Sequence, residues 1–168
     1  YWPSYRKKPK KVVFTIHNLA YQGIGSSEHF KIVNLPGHFF THDYLEFYGN
    51  INLLKAGLVF SDVITTVSPS YAREIATPEG GEGLDGLIRA IGLRKPIIGI
   101  VNGIDTDLFN PATEENLPYP YSINQLEAKS QNKLAFYQQF FPDLKGKNTS
   151  LPLIAFISRL VEQKGLDL

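Results

Sequence analysis

The sequence predicts an α/β fold built on parallel sheets, because strand-like apolar runs alternate along the chain with segments of helical periodicity. The run Lys11 to Ile16 is rich in β-branched and aromatic residues and lacks polar alternation, which is typical of a strand covered on both faces. Two further runs, Asp62 to Val67 and Ile97 to Val101, extend the same predicted sheet. A fourth run, Leu151 to Ile157, predicts the start of a second parallel sheet.

Helix signals occupy most of the segments between these runs. Ser68 followed by Pro69 predicts an N-cap with proline at the first helical position. The predicted helices cover Ile51 to Phe60, Pro69 to Ala76, Leu84 to Ile91 and Asn124 to Phe140. Asn18 to Asn50 holds several glycines, Pro36 and many aromatic residues, and it predicts a long ordered loop with short helical pieces.

A proline-rich polar stretch divides the chain. Three prolines lie between Asn110 and Tyr121, which predicts a linker at residues 110 to 123 between a domain at 1 to 109 and another at 124 to 168. The sequence begins at Tyr1, contains no Met and stops within a strand-loop-helix pattern. We therefore expect an internal piece of a longer protein.

Composition excludes several functional classes. With 168 residues, 43% of them hydrophobic, the chain is globular, and its net charge of +1 creates no field that would attract nucleic acid or an anionic membrane. The absence of Cys excludes disulfides, thiolate zinc sites and a Cys nucleophile, and it fits a reducing cytoplasm. No apolar run approaches the ~18 residues of a membrane span. The basic run at residues 6 to 11 contains a proline and predicts a solvated loop.

Polar side chains follow three of the predicted strands at the point where each strand ends. His17 follows the first, Asn102 follows the third and Arg159 follows the fourth. Ligands of open parallel sheets bind beyond the carboxyl ends of the strands, so these residues predict a cleft between the two domains. Each has a plainer reading as well: a packed histidine, an Asn-Gly turn and a solvated loop charge.

The segment from Ser158 to Leu166 has the pattern of a phosphate site. Arg159 and Lys164 lie five positions apart in the loop after the predicted strand, and Gly165 precedes a predicted helix start. Backbone N–H groups at a helix N-terminus carry a partial positive charge, to which the two cations would add. The segment therefore predicts an anion site suited to a diphosphate.

The other groups of residues that could form a functional site match no known motif. The histidines at positions 29, 38 and 42 are not spaced with carboxylates as metal ligands are, so no metal site is expected. The glycines from Gly80 to Gly86 follow no predicted strand and lack a Lys-Ser/Thr ending, which excludes a dinucleotide fingerprint and a P-loop. No Ser-His-Asp order with a nucleophile elbow is present.

Five sequence blocks together resemble the bacterial glycogen synthases and plant starch synthases. They occur in that family's order, and they extend from one end of the chain to the other. The blocks are H-N-L-A-Y-Q-G at 17 to 23, N-L-L-K-A-G at 52 to 57, V-S-P-S-Y-A-R-E-I at 67 to 75, N-G-I-D at 102 to 105 and S-R-L-V-E-Q-K-G-L-D-L at 158 to 168.

The resemblance implies a GT-B glycosyltransferase, in which two Rossmann-like domains face each other across a cleft. It implies glucose transfer from ADP-glucose to the non-reducing end of an α-1,4-glucan, with retention of configuration and without a metal or other cofactor. By the same resemblance His17 lies beside the transferred glucose and Asn102 lies near the donor, the two catalytic positions. Arg159 and Lys164 then hold the donor phosphates.

The resemblance also assigns Asn18 and Gln22 to a substrate loop. It implies that a Lys-x-Gly-Gly donor loop lies upstream and that an acidic residue beside the glucose lies downstream, so these 168 residues alone should be inactive. Two alternatives stay open: a GT-B enzyme with another acceptor, against which H-N-L-A-Y-Q-G argues, and a non-catalytic glucan-binding relative. Oligomeric state and the choice of ADP over UDP are not predicted from the residues. Bacterial cytoplasm is the expected compartment, with a plastid as the alternative.

Overall fold

The computed structural model describes residues 11 to 144, 152 to 161 and 164 to 165. The chain divides into two compact units, Tyr1–Gly103 and Ile104–Leu168. This division precedes the linker predicted at residues 110 to 123, and the domain assignment stays a prediction. Among the described helices, none is long and apolar enough to cross a membrane.

A three-stranded parallel sheet lies at the centre of the first unit. Its strands are β1 (Val13–Ile16), β5 (Val63–Thr66) and β6 (Ile97–Gly99), in the order β1-β5-β6. Both pairings are parallel, with Val13 opposite Val63 and Ile64 opposite Ile97. The predicted parallel sheet is confirmed, and each strand is shorter than its apolar run.

The prediction that β1 is covered on both faces is wrong for the described residues. Val13 is 60% exposed and Thr15 is also exposed, whereas Ile16 is only 1% exposed. Residues two apart share a face of a strand, so one face of β1 is open and the other meets the core. An apolar run therefore indicates a strand without settling whether both of its faces are covered.

The segment predicted as a long loop contains a second, antiparallel sheet. Three very short strands form it: β2 (Ile24–Ser26), β3 (Glu46–Phe47) and β4 (Asn50–Asn52), in the order β2-β4-β3. A short helix, α1 (Phe30–Val33), and 3₁₀ turns at Ser27–His29 and Gly37–Phe39 lie between β2 and β3. Strands of two or three residues are too short to show polar alternation, so the sequence pattern did not reveal them.

Three helices pack against the parallel sheet. They are α2 (Leu53–Phe60), α3 (Pro69–Glu74) and α4 (Asp85–Gly92). The predicted N-cap of α3 is confirmed, since the Ser68 side chain accepts a hydrogen bond from the Tyr71 N–H. The Asn52 side chain caps α2 in the same way through the Lys55 N–H. The buried core of this unit consists of Ile16, Leu19, Leu54, Leu58, Ile64, Ile75, Leu84, Ile88 and Ile91.

Two glycines allow helices to approach the sheet closely. A Cβ atom on Gly57 of α2 would overlap the Phe14 ring of β1. A Cβ atom on Gly99, the last residue of β6, would overlap the Ser68 carbonyl and the Pro69 nitrogen at the start of α3. These contacts allow α2 to lie close against β1, and the start of α3 to lie close to the carboxyl end of β6.

The second unit is organised around one long helix, α5 (Glu127–Phe140), which confirms the helix predicted from Asn124 to Phe140. A 3₁₀ turn at Pro142–Leu144 follows it. Asn132 of α5 fixes the preceding segment, because its amide group accepts a hydrogen bond from the Tyr119 N–H and donates one to the Tyr119 carbonyl.

Two local predictions in or beside this unit are wrong. No turn forms at Asn102 and Gly103; the turn comes at residues 106 to 109, where the Asp105 carboxylate accepts hydrogen bonds from the N–H groups of Asp107 and Leu108. Residues 152 to 157 form no strand, and Ile157 is 95% exposed. A strand requires a partner, and the described part of this unit offers none. Leu151, the first residue of that predicted strand, lies outside the described residues.

Candidate active site

The loop that follows β1 lines a cavity of 410 Å³ at the carboxyl edge of the parallel sheet. His17, Asn18 and Gln22, three of the predicted site residues, all line this cavity. Its wall is completed by Phe14, Thr15, Ile16, Tyr21, Gly23, Leu53 and Leu54. The predicted location, beyond the carboxyl ends of parallel strands, is where the structure places these three side chains.

The first anchors of this loop lie on β5 and α3. The Thr66 hydroxyl donates to the Ile16 carbonyl at 2.8 Å, one residue before His17. The Leu19 N–H donates to the Tyr71 hydroxyl oxygen at 2.9 Å, and the Leu19 side chain is fully buried. The loop is therefore fixed on both sides of its polar residues.

A further anchor is made by the Gln22 side chain, which is only 7% exposed. Its amide nitrogen donates to the Glu82 carbonyl at 2.8 Å, and its amide oxygen accepts from Asn52 Nδ2 at 2.7 Å. Glu82 has a positive φ of 49°, within the glycine-rich segment that precedes α4. The Gln22 side chain thus joins the cavity loop to α2 and to this segment.

His17 and Asn18 have more accessible side chains. His17 is exposed, so its imidazole can donate to or accept from a ligand in the cavity. Asn18 is partly buried, and its side-chain oxygen accepts a hydrogen bond from the Ala20 N–H at 3.0 Å. This bond shapes the loop next to His17.

Asn102 lies at the same edge of the sheet. It is exposed and comes three residues after the end of β6, and the Ile100 N–H donates to the Thr66 carbonyl at 2.8 Å. Because β5 lies between β1 and β6, the strand ends that carry His17 and Asn102 are separated by two strand spacings, about 10 Å. Groups at that separation can contact different parts of one sugar nucleotide.

The predicted phosphate-binding residues belong to the second unit. The side chains of Arg159 and Lys164 are exposed. The Val161 N–H donates to the Arg159 carbonyl, and the Lys164 N–H donates to the Val161 carbonyl. Gly165 has a φ of 70°, and the helix start predicted after it lies outside the described residues.

Lys55 is a residue that the sequence reasoning did not single out. It is 4% exposed, and its ammonium group donates to the carbonyls of His42 and Glu46 at 2.5 and 2.6 Å. Burial lowers the pKa of Lys55 from its ordinary value, and the carboxylates of Glu46 and Asp43 offset part of that decrease. The sequence did contain an indication of this role, because Lys55 lies among the apolar residues of a predicted helix, and a lysine that is buried there needs hydrogen-bond partners.

The described residues include no group of three His, Asp or Glu side chains arranged to hold a metal ion. In the first unit, the loop after β1 offers hydrogen-bonding groups to a ligand in the cavity. In the second unit, Arg159 and Lys164 present exposed positive charges. Hydrogen-bonding groups suit a polar ligand, and exposed cations suit an anionic one.

The family model of the starch synthase catalytic domain matches residues 1 to 90, more than half of the chain. The chain belongs to that family. As a starch synthase family member it is 51% identical to the glycogen synthase of Cellvibrio japonicus, 48% identical to that of Anaeromyxobacter and 45% identical to that of Yersinia pseudotuberculosis. These alignments cover 93 to 97% of the chain and 31 to 34% of each relative.

A solved structure supports the same assignment of this starch synthase family member. The catalytic domain of starch synthase IV from Arabidopsis thaliana, bound to ADP and acarbose, matches with a TM-score of 0.80 and 36% identity. The match covers 94% of the chain and 32% of the solved one. It confirms the α/β GT-B class predicted from the sequence. The chain therefore spans about one third of the length of its relatives.

Proposed function

We propose that the natural protein carrying this sequence is a retaining glucosyltransferase that moves glucose from ADP-glucose to the non-reducing end of an α-1,4-glucan. The observation that carries this proposal is the 51% identity to a glycogen synthase over 93% of the chain, which includes the block around His17. The solved relative bound to ADP and acarbose supports a nucleotide and an oligosaccharide as ligands. Neither a metal nor another cofactor is part of the proposal, and bacterial cytoplasm stays the predicted compartment.

The proposed role of the residues that bind the phosphates of ADP-glucose follows from their charge. As the glucosyl bond breaks, negative charge develops on the ADP leaving group, and fixed cations stabilise that charge more strongly than they stabilise the bound donor. Arg159 and Lys164 supply two such cations in this proposal. Their side chains are exposed, which suits contact with a diphosphate.

The proposed role of the sugar-side residues follows from their exposure. His17 and Asn102 offer hydrogen bonds at the sheet edge, where they would position the transferred glucose and the donor. Asn18 shapes the loop beside them. The Gln22 side chain is buried and bonded to Asn52 and Glu82, so its part is to hold the loop in place.

The proposal is tested by measuring glucose transfer to glycogen by the natural protein, with ADP-glucose and UDP-glucose compared. Loss of a charged contact to the donor phosphates, or of the sugar contact from His17, should reduce kcat/KM by about 100-fold or more in Arg159→Ala and in His17→Ala. Lys31→Ala, a change at an exposed lysine of α1, is the matched control and should keep the wild-type rate.

Two results would contradict the proposal. Absence of transfer from both donors by the folded natural protein would favour a non-catalytic glucan-binding relative or a glycosyltransferase with another acceptor. Unchanged rates in both variants would remove Arg159 and His17 from the site.

A further inference from the structure

A second cavity in the first unit shares no lining residue with the cavity that contains His17. It has a volume of 590 Å³, within the range of ordinary small-molecule sites. Phe47, Tyr48, Lys55, Gly83, Asp85 and Leu87 contribute to its wall. We call it the Tyr48 cavity.

The backbone at Tyr48 has a conformation that tyrosine disfavours. Tyr48 and Gly49 form the two-residue turn between β3 and β4, because Phe47 pairs with Asn50, and both turn residues have positive φ, 49° and 80°. Turns of this kind favour Asn or Gly at the first position, where a bulky residue is strained. A strained residue that the surrounding structure holds in place often belongs to a ligand site.

The Tyr48 side chain is 85% exposed and so gains little from packing. It meets the Phe47 ring at a centroid distance of 4.7 Å in an edge-on arrangement, and both rings line the cavity. The Glu46 carboxylate holds the turn by accepting a hydrogen bond from the Gly49 N–H at 2.7 Å. The turn thus presents an aromatic ring to solvent at a conformational cost.

The charged groups around the cavity are already paired. Lys55 donates to the carbonyls of His42 and Glu46, and Glu46 accepts from Gly49. The Asp85 carboxylate pairs with Arg89 at 2.8 Å. A charged ligand would find no unpaired counter-charge among these groups, whereas a neutral ligand with hydroxyl groups and an apolar face can use the carboxylate oxygens and the aromatic rings.

We propose that the Tyr48 cavity is an α-glucan-binding subsite, separate from the transfer site, in which glucose rings lie against Tyr48 and Phe47. This inference rests on the proposed function for the identity of the polymer. A glucan held at one point has a raised effective concentration at a second point on the same protein. The subsite would therefore lower the KM for a long glucan without changing the chemical step.

The decisive variant is Tyr48→Gly, which removes the ring and at the same time relieves the positive φ. We expect it to keep or raise the melting temperature of the natural protein while weakening its retardation in glycogen-containing native gels, with an apparent dissociation constant for glycogen at least about fivefold higher. The KM for glycogen should rise by a similar factor, while kcat and the KM for ADP-glucose stay at wild-type values. Tyr48→Phe, which keeps the ring, should retain at least half of the wild-type retardation.

Tyr119→Ala is the matched control, since Tyr119 is an exposed tyrosine of the second unit, and it should bind glycogen as the wild type does. Wild-type retardation and KM in Tyr48→Gly would overturn the inference. Glycogen retardation that depends on Tyr48, in a protein that transfers no glucose, would support the subsite and contradict the proposed function. A protein that transfers glucose, but whose retardation by glycogen does not depend on Tyr48, would support the proposed function and contradict the subsite.

Discussion

Asn52 Nδ2 donates a hydrogen bond of 2.7 Å to Gln22 Oε1, while the Asn52 side-chain oxygen accepts the Lys55 N–H at the start of α2. Asn52 is fully buried. One side chain therefore caps a helix and fixes the loop that carries His17. The position of the candidate active site and the beginning of α2 depend on the same amide group.

Replacing Asn52 by alanine should lower the free energy of unfolding by about 2 to 4 kcal/mol, because the helix cap is lost and Gln22 loses a buried partner. Chemical denaturation of the natural protein measures this change. Asn50→Ala, two residues earlier on the same strand, is the control, since the Asn50 side chain makes only a long hydrogen bond of 3.5 Å to the Tyr48 carbonyl. Equal decreases in the free energy of unfolding of the two variants would show that the hydrogen bonds of the Asn52 amide do not stabilise the protein.

Replacing Gly99 by alanine should lower the free energy of unfolding by about 2 kcal/mol or more, because the new Cβ atom would overlap the backbone at Ser68 and Pro69. The displaced atoms belong to the backbone, so no side chain can move aside. Gly92→Ala at the end of α4 has open space around the new Cβ and should be neutral or slightly stabilising. Melting temperatures of the two variants test the contrast, and a Gly99→Ala protein as stable as Gly92→Ala would refute it.

The ammonium group of Lys55 should make stability depend on alkaline pH. Its pKa in the folded protein is lowered by burial, so at pH values approaching the ordinary 10.5 the unfolded chain binds more protons than the folded one. The contribution of Lys55 to the free energy of unfolding therefore increases as pH rises. Urea unfolding between about pH 8 and pH 10 should show a smaller rise in Lys55→Met than in the wild type.

Lys31→Met, at an exposed lysine, is the control for this pH dependence and should keep the wild-type slope. An unchanged slope in Lys55→Met would mean that the folded protein does not disfavour the charged form of this lysine.

The cations of the second unit should be needed for nucleotide binding itself. Arg159→Ala and Lys164→Ala should each weaken the binding of ADP to the natural protein by about 10-fold or more, since each removes a charged contact to phosphate. Isothermal titration calorimetry with ADP measures the loss without requiring turnover. Lys129→Ala on α5 is the control and should bind ADP normally. ADP affinities at the wild-type level in both variants would argue against the predicted phosphate site.

Strong local signals made much of the first unit predictable. The Ser68 cap, the helix that follows it and the three parallel strands all depend on interactions between residues close in sequence or on continuous apolar runs. The small antiparallel sheet was missed because strands of two or three residues have no measurable period. The predicted strand at residues 152 to 157 was wrong because strand formation depends on a partner and not on the run alone.

The same contrast between local and distant interactions explains which features of the candidate site the sequence predicted. His17 stands at a strand end, a position that sequence reveals, and it does line a cavity. The use of the Gln22 side chain was not predictable, because its partners Asn52 and Glu82 lie 30 and 60 residues away. Several residues of the blocks that identified the family, including Asn52 and Tyr71, support the loop from outside the cavity. Family resemblance thus identified scaffold residues together with the polar residues that line the cavity.

The anchoring of the loop after β1 bears on how the protein could be redesigned. Its contacts reach Thr66, Tyr71, Asn52 and Glu82, which lie on separate segments of the chain. A loop transplanted from a distant homologue to alter acceptor choice would arrive without these partners. Chimeras would need the homologue's own residues at positions 52, 66 and 71, whose side chains make the contacts, and a matching backbone at position 82, where the contact is to the carbonyl. Directed evolution of this region therefore requires libraries that vary the loop and its distant supports together.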